Sequence, residues 1–539
     1  MIWKIAICIT AIIMAIPLFV FFVSACMIFL LIYVKTRGKY WKRRNVAYIQ
    51  PLPILGNFSE YILLRKYFGK VEQEICQKYP EQPYVGTLYG TEPTLIVQDP
   101  KLIKLIMTKD FYYFSSREVS RYTHNEVMTQ NLFFTYGDRW KVMRQNLTPL
   151  FTSTKMKNMF YLVEKCCHVL EGLLDDEVAT DNVIEVRTLT ARYTMDAIGS
   201  CAFGVNTNTM GKDSCSNTFT VIGKKILESS TIRGIKWISR SIWPCVFYGL
   251  GFKNIPVEVD NFFGDLLKNV FEGRQYRPSN RNDFIDLVLS LKTNNVITGD
   301  SLSNVKTGEN KRVELEANDE LLVSNCIGFF AAGYETSATT LSYTLFELAK
   351  HKHIQKLVQK EIDEYLRERD NKLKFDCVTE LKYTEACTDE VLRLYPVLGV
   401  ITREVVDEYT LPGGLRLEKD MRVHIPVYHL HHSPKHFPEP EEFRPERFMP
   451  KERSKIEQYT YMPFGEGPRI CIGMRFAKMQ MLSGLVTILK KFSVGLADGM
   501  PTTLEFDPRS IVTIPYEGIR LTFTPREGWE RFNRICEFH

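Results

Sequence analysis

Phe464-Gly465-Glu466-Gly467-Pro468-Arg469-Ile470-Cys471-Ile472-Gly473 constrains this 539-residue chain more than any other stretch. One cysteine sits in a glycine-rich loop, and residues 474–492 follow it at once, free of proline and helically periodic. A cysteine at a helix N-terminus meets backbone N–H groups and the positive end of the helix dipole, which favours its thiolate. Gly465, Gly467 and Gly473 withhold side chains where a flat, bulky ligand would strike the backbone. Arg469, two residues before the cysteine, is placed to answer a carboxylate on such a ligand. Taken alone, the loop also fits a buried, inert cysteine in a glycine turn.

Residues 5–34 carry no charge and exceed the roughly 20 residues that cross a bilayer. Lys35, Arg37, Lys39, Lys42, Arg43 and Arg44 follow, so the sequence predicts a transmembrane anchor over 1–34 with the downstream chain cytoplasmic. A cleaved secretory signal would have a shorter apolar core and a small-residue cleavage site. The first 44 residues hold seven cations and no anion, which turns the formal net charge of +6 into −1 for the remainder. That balance argues against a nucleic-acid binder, which should carry a basic face. Pro51, Pro53 and Gly56 mark a proline hinge that closes a basic segment over 35–57. Residues 58–539 show no linker, repeat or low-complexity tract and read as one catalytic domain, with 45% apolar residues over the chain to fill its core. The 13 cysteines are odd in number, scattered and without a Cys-x-x-Cys pair, so neither a disulfide framework nor a zinc site is indicated. A reducing compartment follows.

Along the body, residues 84–98 alternate around Gly86, Gly90 and Pro93 as a small hairpin. A helix is expected from Gly137, capped by Asp138, with Trp140 and Arg144 four apart on one face. Residues 205–280 mix polar loops with an apolar, Trp-bearing stretch over 232–252, and 300–318 read as a polar surface loop. Asn318-Asp319 are cap residues for a long helix over about 320–350. Its middle, Ala331-Ala332-Gly333-Tyr334-Glu335-Thr336-Ser337, allows close approach of another surface. Gly333 and the Thr336 hydroxyl can loosen the local hydrogen-bond ladder, and an acid beside an alcohol is what proton delivery requires. Standing alone, these small residues are better explained by packing, with Glu335 solvated. Glu390 and Arg393 can pair at i,i+3 on a helix stopped by Pro396, and Arg403 falls on an expected strand. His429, His431 and His432 lie in a connection without Cys or His partners and read as surface histidines.

Phe-x-x-Gly-x-x-x-Cys-x-Gly, matched at Phe464, Gly467, Cys471 and Gly473, resembles the haem-binding signature of the cytochrome P-450 superfamily. Ala332-Gly333-Tyr334-Glu335-Thr336 resembles the family's helix I motif, and Trp140-x-x-x-Arg144 its helix C pair. Glu390-x-x-Arg393 and Pro445-Glu446-Arg447-Phe448 complete the series in the family's order. The resemblance implies a mainly α fold, an α-helical prism with small β-sheets, preceded by an N-terminal transmembrane helix. It implies haem b (iron protoporphyrin IX) with Cys471 as axial thiolate on the iron. Trp140, Arg144, Arg403 and Arg469 would then neutralise the propionates, with Arg117 a further partner, and Phe464, Gly465 and Gly473 would shape the cradle. Thr336 and Glu335 would deliver protons; Glu390, Arg393 and Arg447 would form a buried network.

The wording of 147–160, 329–351 and 461–480 most resembles insect microsomal members that oxidise xenobiotics. The implied activity is monooxygenation of lipophilic substrates, xenobiotics or endogenous lipids, at the endoplasmic reticulum membrane. Electrons would come from an NADPH–cytochrome P-450 reductase docking near Arg139, Lys141 and Lys478, with cytochrome b5 an optional second partner. Residues 329–336, 397–402, 510–514 and the loop before Trp140 would line the pocket. Two alternatives stay open: a thiolate-haem isomerase or synthase acting on peroxides without a reductase, and a non-catalytic membrane haem sensor.

Overall fold

The longest helix, Asp319–Lys350, starts at the expected cap: Asn318 Oδ1 accepts the N–H of Leu321 at 2.9 Å. It has no proline and is buried on nearly every face, as an interior helix must be. The computed structural model describes residues 35–529 apart from 212–215, 228, 280, 282 and 294–295, with scattered positions between 20 and 33. Most of the expected anchor, 1–34, lies outside the described residues; among those described, no helix is long and apolar enough to cross a membrane.

Two helices close on this central one. Val186–Ile198 runs along it, and the hydroxyls of Thr194 and Thr190 donate to the carbonyls of Tyr334 (2.9 Å) and Ala338 (3.0 Å). Gly333 makes the approach possible, because a Cβ there would fall 2.6 Å from Ile198 Cδ1. Met474–Leu489, the helix after the cysteine loop, packs against both, with Gly484 facing Tyr193. The helical pattern expected to 492 ends at Leu489, because Phe492 already opens a strand, Phe492–Leu496, paired with Arg520–Pro525. Val183–Glu185 completes this second sheet.

The larger sheet orders Tyr84–Tyr89, Glu92–Val97, Arg422–Ile425 and Ile401–Glu404. Its first two strands form the expected hairpin, closed by Tyr89 opposite Glu92. Arg403 lies on the last strand, opposite Val423. The fold is mainly α with small sheets.

Three local expectations change. The polar stretch 300–318 is not a plain loop: Val296–Asp300 and Arg312–Glu316 form a β-hairpin. It clamps the Trp140 helix, Gly137–Leu147, through Asn146 Nδ2 to Thr298 O (3.0 Å) and Asp300 N to Gln145 Oε1 (2.8 Å). Asp138 is therefore not a cap; its carboxylate accepts from Ser301 Oγ (2.9 Å) and Leu302 N (2.6 Å) of that hairpin. The packed body also starts before residue 58. Trp41 is 2% exposed and donates Nε1–H to Thr87 O at 2.7 Å. The Pro51–Gly56 turn lies on the same strand, where Gly56 has φ +65° and a Cβ would sit 2.0 Å from Leu88 O.

Candidate functional site

Cys471 opens onto a largely apolar cavity of about 670 Å³. Its loop is tied back on itself by Cys471 N to Phe464 O at 2.9 Å. Two of the glycines do what a broad ligand requires: Gly465 and Gly473 line the cavity, and a Cβ on either would meet only distant carbons, at 4.0 and 3.9 Å. Gly465 is also held at φ +75°, and Gly467 is glycine for backbone reasons alone. Its φ is +70°, and a Cβ would lie 1.9 Å from the carbonyl oxygen of Met107. Burial pushes the Cys471 thiol up, opposed by the Gly473 N–H and by the charges of Arg144 and Arg117. The sulfur is free, and its exposed surface faces the cavity.

Four arginines gather at this cavity: Arg117, Arg144, Arg403 and Arg469 all line it. None forms an ion pair among the described residues. Arg469 donates only to main-chain carbonyls, those of Ser115, Phe133 (3.3 Å) and Thr135 (2.7 Å), and stacks 4.5 Å over Trp140. Among the described residues Arg403 reaches only Thr402 O, and its buried Nε has no partner. Desolvation, then their mutual repulsion, pulls Arg469 well below the usual range and Arg117 down to about 9; desolvation alone brings Arg403 to about 10. Buried guanidiniums without carboxylates are unfavourable unless an anion is brought to them. A broad apolar ligand carrying carboxylates, set between Cys471 and the central helix, satisfies both the free sulfur and the unpaired cations.

On the central helix the two expected catalytic residues part company. Thr336 lines the cavity and donates its hydroxyl hydrogen to Ala332 O at 2.6 Å. Glu335, about 100° round the helix, is not among the cavity residues: Arg187 holds its Oε1 through Nε (3.1 Å) and Nη2 (2.7 Å). Arg187 was not singled out in the sequence, and nothing local distinguishes it from any other helical arginine. All four stretches expected to line the pocket do so, through Phe133, Phe329, Val397 and Ile511 among others. Trp237, from the helix Thr231–Ile242, joins them as a roof.

Away from the cavity, Glu390, Arg393 and Arg447 meet. Arg393 binds Glu390 bidentately, both bonds 2.8 Å and both side chains fully buried, and Arg447 Nε lies 3.4 Å from Glu390 Oε1. The histidines are not on the surface. His431 and His432 are buried, His431 Nε2 accepts from Met462 N at 3.0 Å, and desolvation lowers His429 to about 4 and His432 to about 3. His431 and His432 are core residues and His429 is half-buried, all three kept neutral by desolvation, and no metal-holding cluster occurs among the described residues. Two of the three expected docking cations are committed elsewhere: Lys478 to Glu385 at 2.5 Å, Arg139 to Gln130 at 3.1 Å.

Comparison with known proteins decides the family. The family model described as Cytochrome P-450 matches residues 47–523. This chain belongs to the cytochrome P-450 family. It is similar to cytochrome P-450 6B7 of Helicoverpa armigera, 35% identical over 505 residues that cover 94% of this chain and 97% of the relative. Cytochrome P-450 6k1 of Blattella germanica is 35% identical over 496 residues, 91% of this chain and 94% of its own length. A probable cytochrome P-450 6a18 of Drosophila melanogaster is 32% identical over 511 residues, 94% and 98% respectively. As a cytochrome P-450 the chain is a monooxygenase with haem b as its cofactor. The residues present fit that group: one free sulfur, a glycine-lined cradle and four guanidiniums without counter-ions among the described residues.

Proposed function

We propose that this cytochrome P-450 inserts one oxygen atom into lipophilic xenobiotics, such as plant toxins or insecticides, with electrons from an NADPH-dependent reductase. The observation that carries this reading is that Cys471 and Thr336 line one mainly apolar cavity. When bound, haem b supplies the activation of dioxygen and the oxygenation of carbon. Cys471 would be the iron's thiolate ligand, and Trp140, Arg144, Arg403, Arg469 and Arg117 would hold the propionates.

The chain's own contributions follow from placement. Phe133, Phe134, Trp237 and Phe329 exclude water and offer flat apolar surface to a substrate, so binding is driven by burial rather than by a specific polar contact. The Thr336 hydroxyl, already bonded to Ala332 O, holds a proton at the cavity wall. Glu335 holds charge behind it, restrained by Arg187. Proton delivery from Glu335 requires that pair to loosen, whereas Thr336 needs only to rotate. The expected setting is the endoplasmic reticulum membrane with the body in the cytoplasm, motivated by the charge pattern of 1–44. Of the cations expected at the reductase face, Lys141 is the one left for docking, and exposed Arg475 lies beside the cysteine loop.

The test is the absorption of the carbonyl adduct of the ferrous protein, followed by turnover under oxygen-18. A thiolate-type spectrum lost in Cys471→Ala, with label from dioxygen in the product, is the expected result. A histidine-type spectrum, or product without label, rules the reading out.

A further inference from the structure

Outside the cavity, three ionisable side chains meet in the interior. His424, on the strand Arg422–Ile425, is completely buried; its Nδ1 lies 2.6 Å from Glu72 Oε1 and its Nε2 meets Glu118 Oε1. The rings of Phe58, Phe68 and Tyr89 surround the imidazole at 5.6–6.1 Å. Arg422 stands 3.7 Å from Glu118 Oε2 and reaches Ser241 O on the roof helix. Burial alone would lower His424, but Glu118 and Glu72 outweigh it and lift the imidazole to about 9. The imidazolium therefore faces Glu118 as a charge, in a setting where such a contact is strong.

Glu118 is the neighbour of Arg117, and the segment around them is pinned from several directions. Glu404 N donates to Ser116 O at 2.9 Å, and the Glu404 carboxylate accepts from Ser120 N (3.2 Å) and Ser120 Oγ (3.0 Å). Between these points Val119 is held at φ +62°, left-handed backbone that a β-branched residue adopts only when its surroundings impose it. Arg117, which lines the cavity, has no carboxylate partner among the described residues and rests 3.6 Å over the Phe133 ring. The Phe133 ring carries no charge to offset the repulsion that Arg144, Arg403 and Arg469 exert on the guanidinium. What fixes it is the backbone on which it stands.

We propose that Glu118, locked by His424, is a positioning residue that holds Arg117 in the haem pocket and thereby sets how firmly the haem carboxylates are retained. The proposal rests on Arg117 serving as a propionate partner. Partners one shell out from a metal site typically change affinity by roughly 10- to 100-fold when removed.

The experiment measures haem transfer from the ferric holoprotein to excess apomyoglobin, together with the ferric/ferrous midpoint potential. The variants are Arg117→Gln, Glu118→Ala, the double variant and His424→Gln. Glu361→Ala serves as a destabilised control, since Glu361 accepts only from Tyr383 N and Thr384, remote from Arg117. Arg117→Gln is expected to speed haem loss roughly 10- to 100-fold and to lower the potential. Glu118→Ala and His424→Gln should do the same, with the double variant no worse than Arg117→Gln alone, while Glu361→Ala leaves the potential in place. Should Glu118→Ala fail to fold, His424→Gln reads the same lock from the other side. Additive effects of Arg117→Gln and Glu118→Ala, or an unchanged potential in both lock variants, overturn the proposal. No effect of Arg117→Gln itself, with the lock variants still losing haem faster, instead removes the propionate role on which it rests.

Discussion

Arg187 grips Glu335 with two nitrogens, Nε at 3.1 Å and Nη2 at 2.7 Å, one residue along the chain from a threonine that faces the cavity. Glu335 is about 4% exposed. Removing its partner strands a buried charge, so Arg187→Leu is expected to cost about 3–5 kcal/mol. Arg187→Leu combined with Glu335→Leu should recover most of that. Chemical denaturation followed by tryptophan fluorescence measures these and Glu335→Leu alone, and a double-variant loss equal to the sum of the two single losses would show that the pair is not coupled.

Thr336→Ala removes a hydroxyl that donates to Ala332 O and leaves the cavity otherwise intact. The variant should keep its haem and its melting temperature within a few degrees. Product formed per electron consumed is expected to fall by up to about a hundredfold, with hydrogen peroxide taking up the lost electrons. Parallel assays of product and peroxide decide it.

Burial raises Glu404 from 4.5 to about 7, against the pull of its Ser120 contacts. A carboxyl whose folded value lies above its unfolded one binds more protons in the native state, so stability falls as pH rises from about 4.5 to about 7. The loss from this residue amounts to at most about 3 kcal/mol. Glu404→Gln can still accept from Ser120 and no longer ionises. It should flatten the stability profile over this window and exceed the parent above pH 7, as measured by denaturation at stepped pH.

Gly467→Ala should cost at least about 2 kcal/mol. The added Cβ would lie 1.9 Å from Met107 O, on a backbone held at φ +70°. The cysteine loop must move to accept it, and haem content per protein is expected to drop. An alanine variant purified with full haem content would show that the loop yields without displacing Cys471.

Much of this architecture was legible because it is written in short-range chemistry. Asn318 announces its helix by side-chain type, and the Cys471 loop carries its glycines where the backbone must turn or stay clear of the cavity. The hairpin over 296–316 was also legible in principle: Val313 and Leu315 alternate with Arg312, Glu314 and Glu316, a strand's period hidden by the polarity of the surrounding stretch. What the sequence did not reveal depends on a partner far along the chain. Which way Glu335 points is decided by Arg187, 148 residues earlier, and the histidines at 431 and 432 are interior because Met462, Tyr428 and Tyr461 cover them. Glu118 and His424 are 306 residues apart, and neither belongs to any local pattern.

The gathering of Arg117, Arg144, Arg403 and Arg469 bears on how the protein is made as well as how it works. A shell holding four like charges pushes itself apart, so the dianion that quenches them is also a building material. Newly made chains should reach their mature, protease-resistant form only as fast as porphyrin is delivered, which ties the abundance of the enzyme to the cell's supply of its pigment.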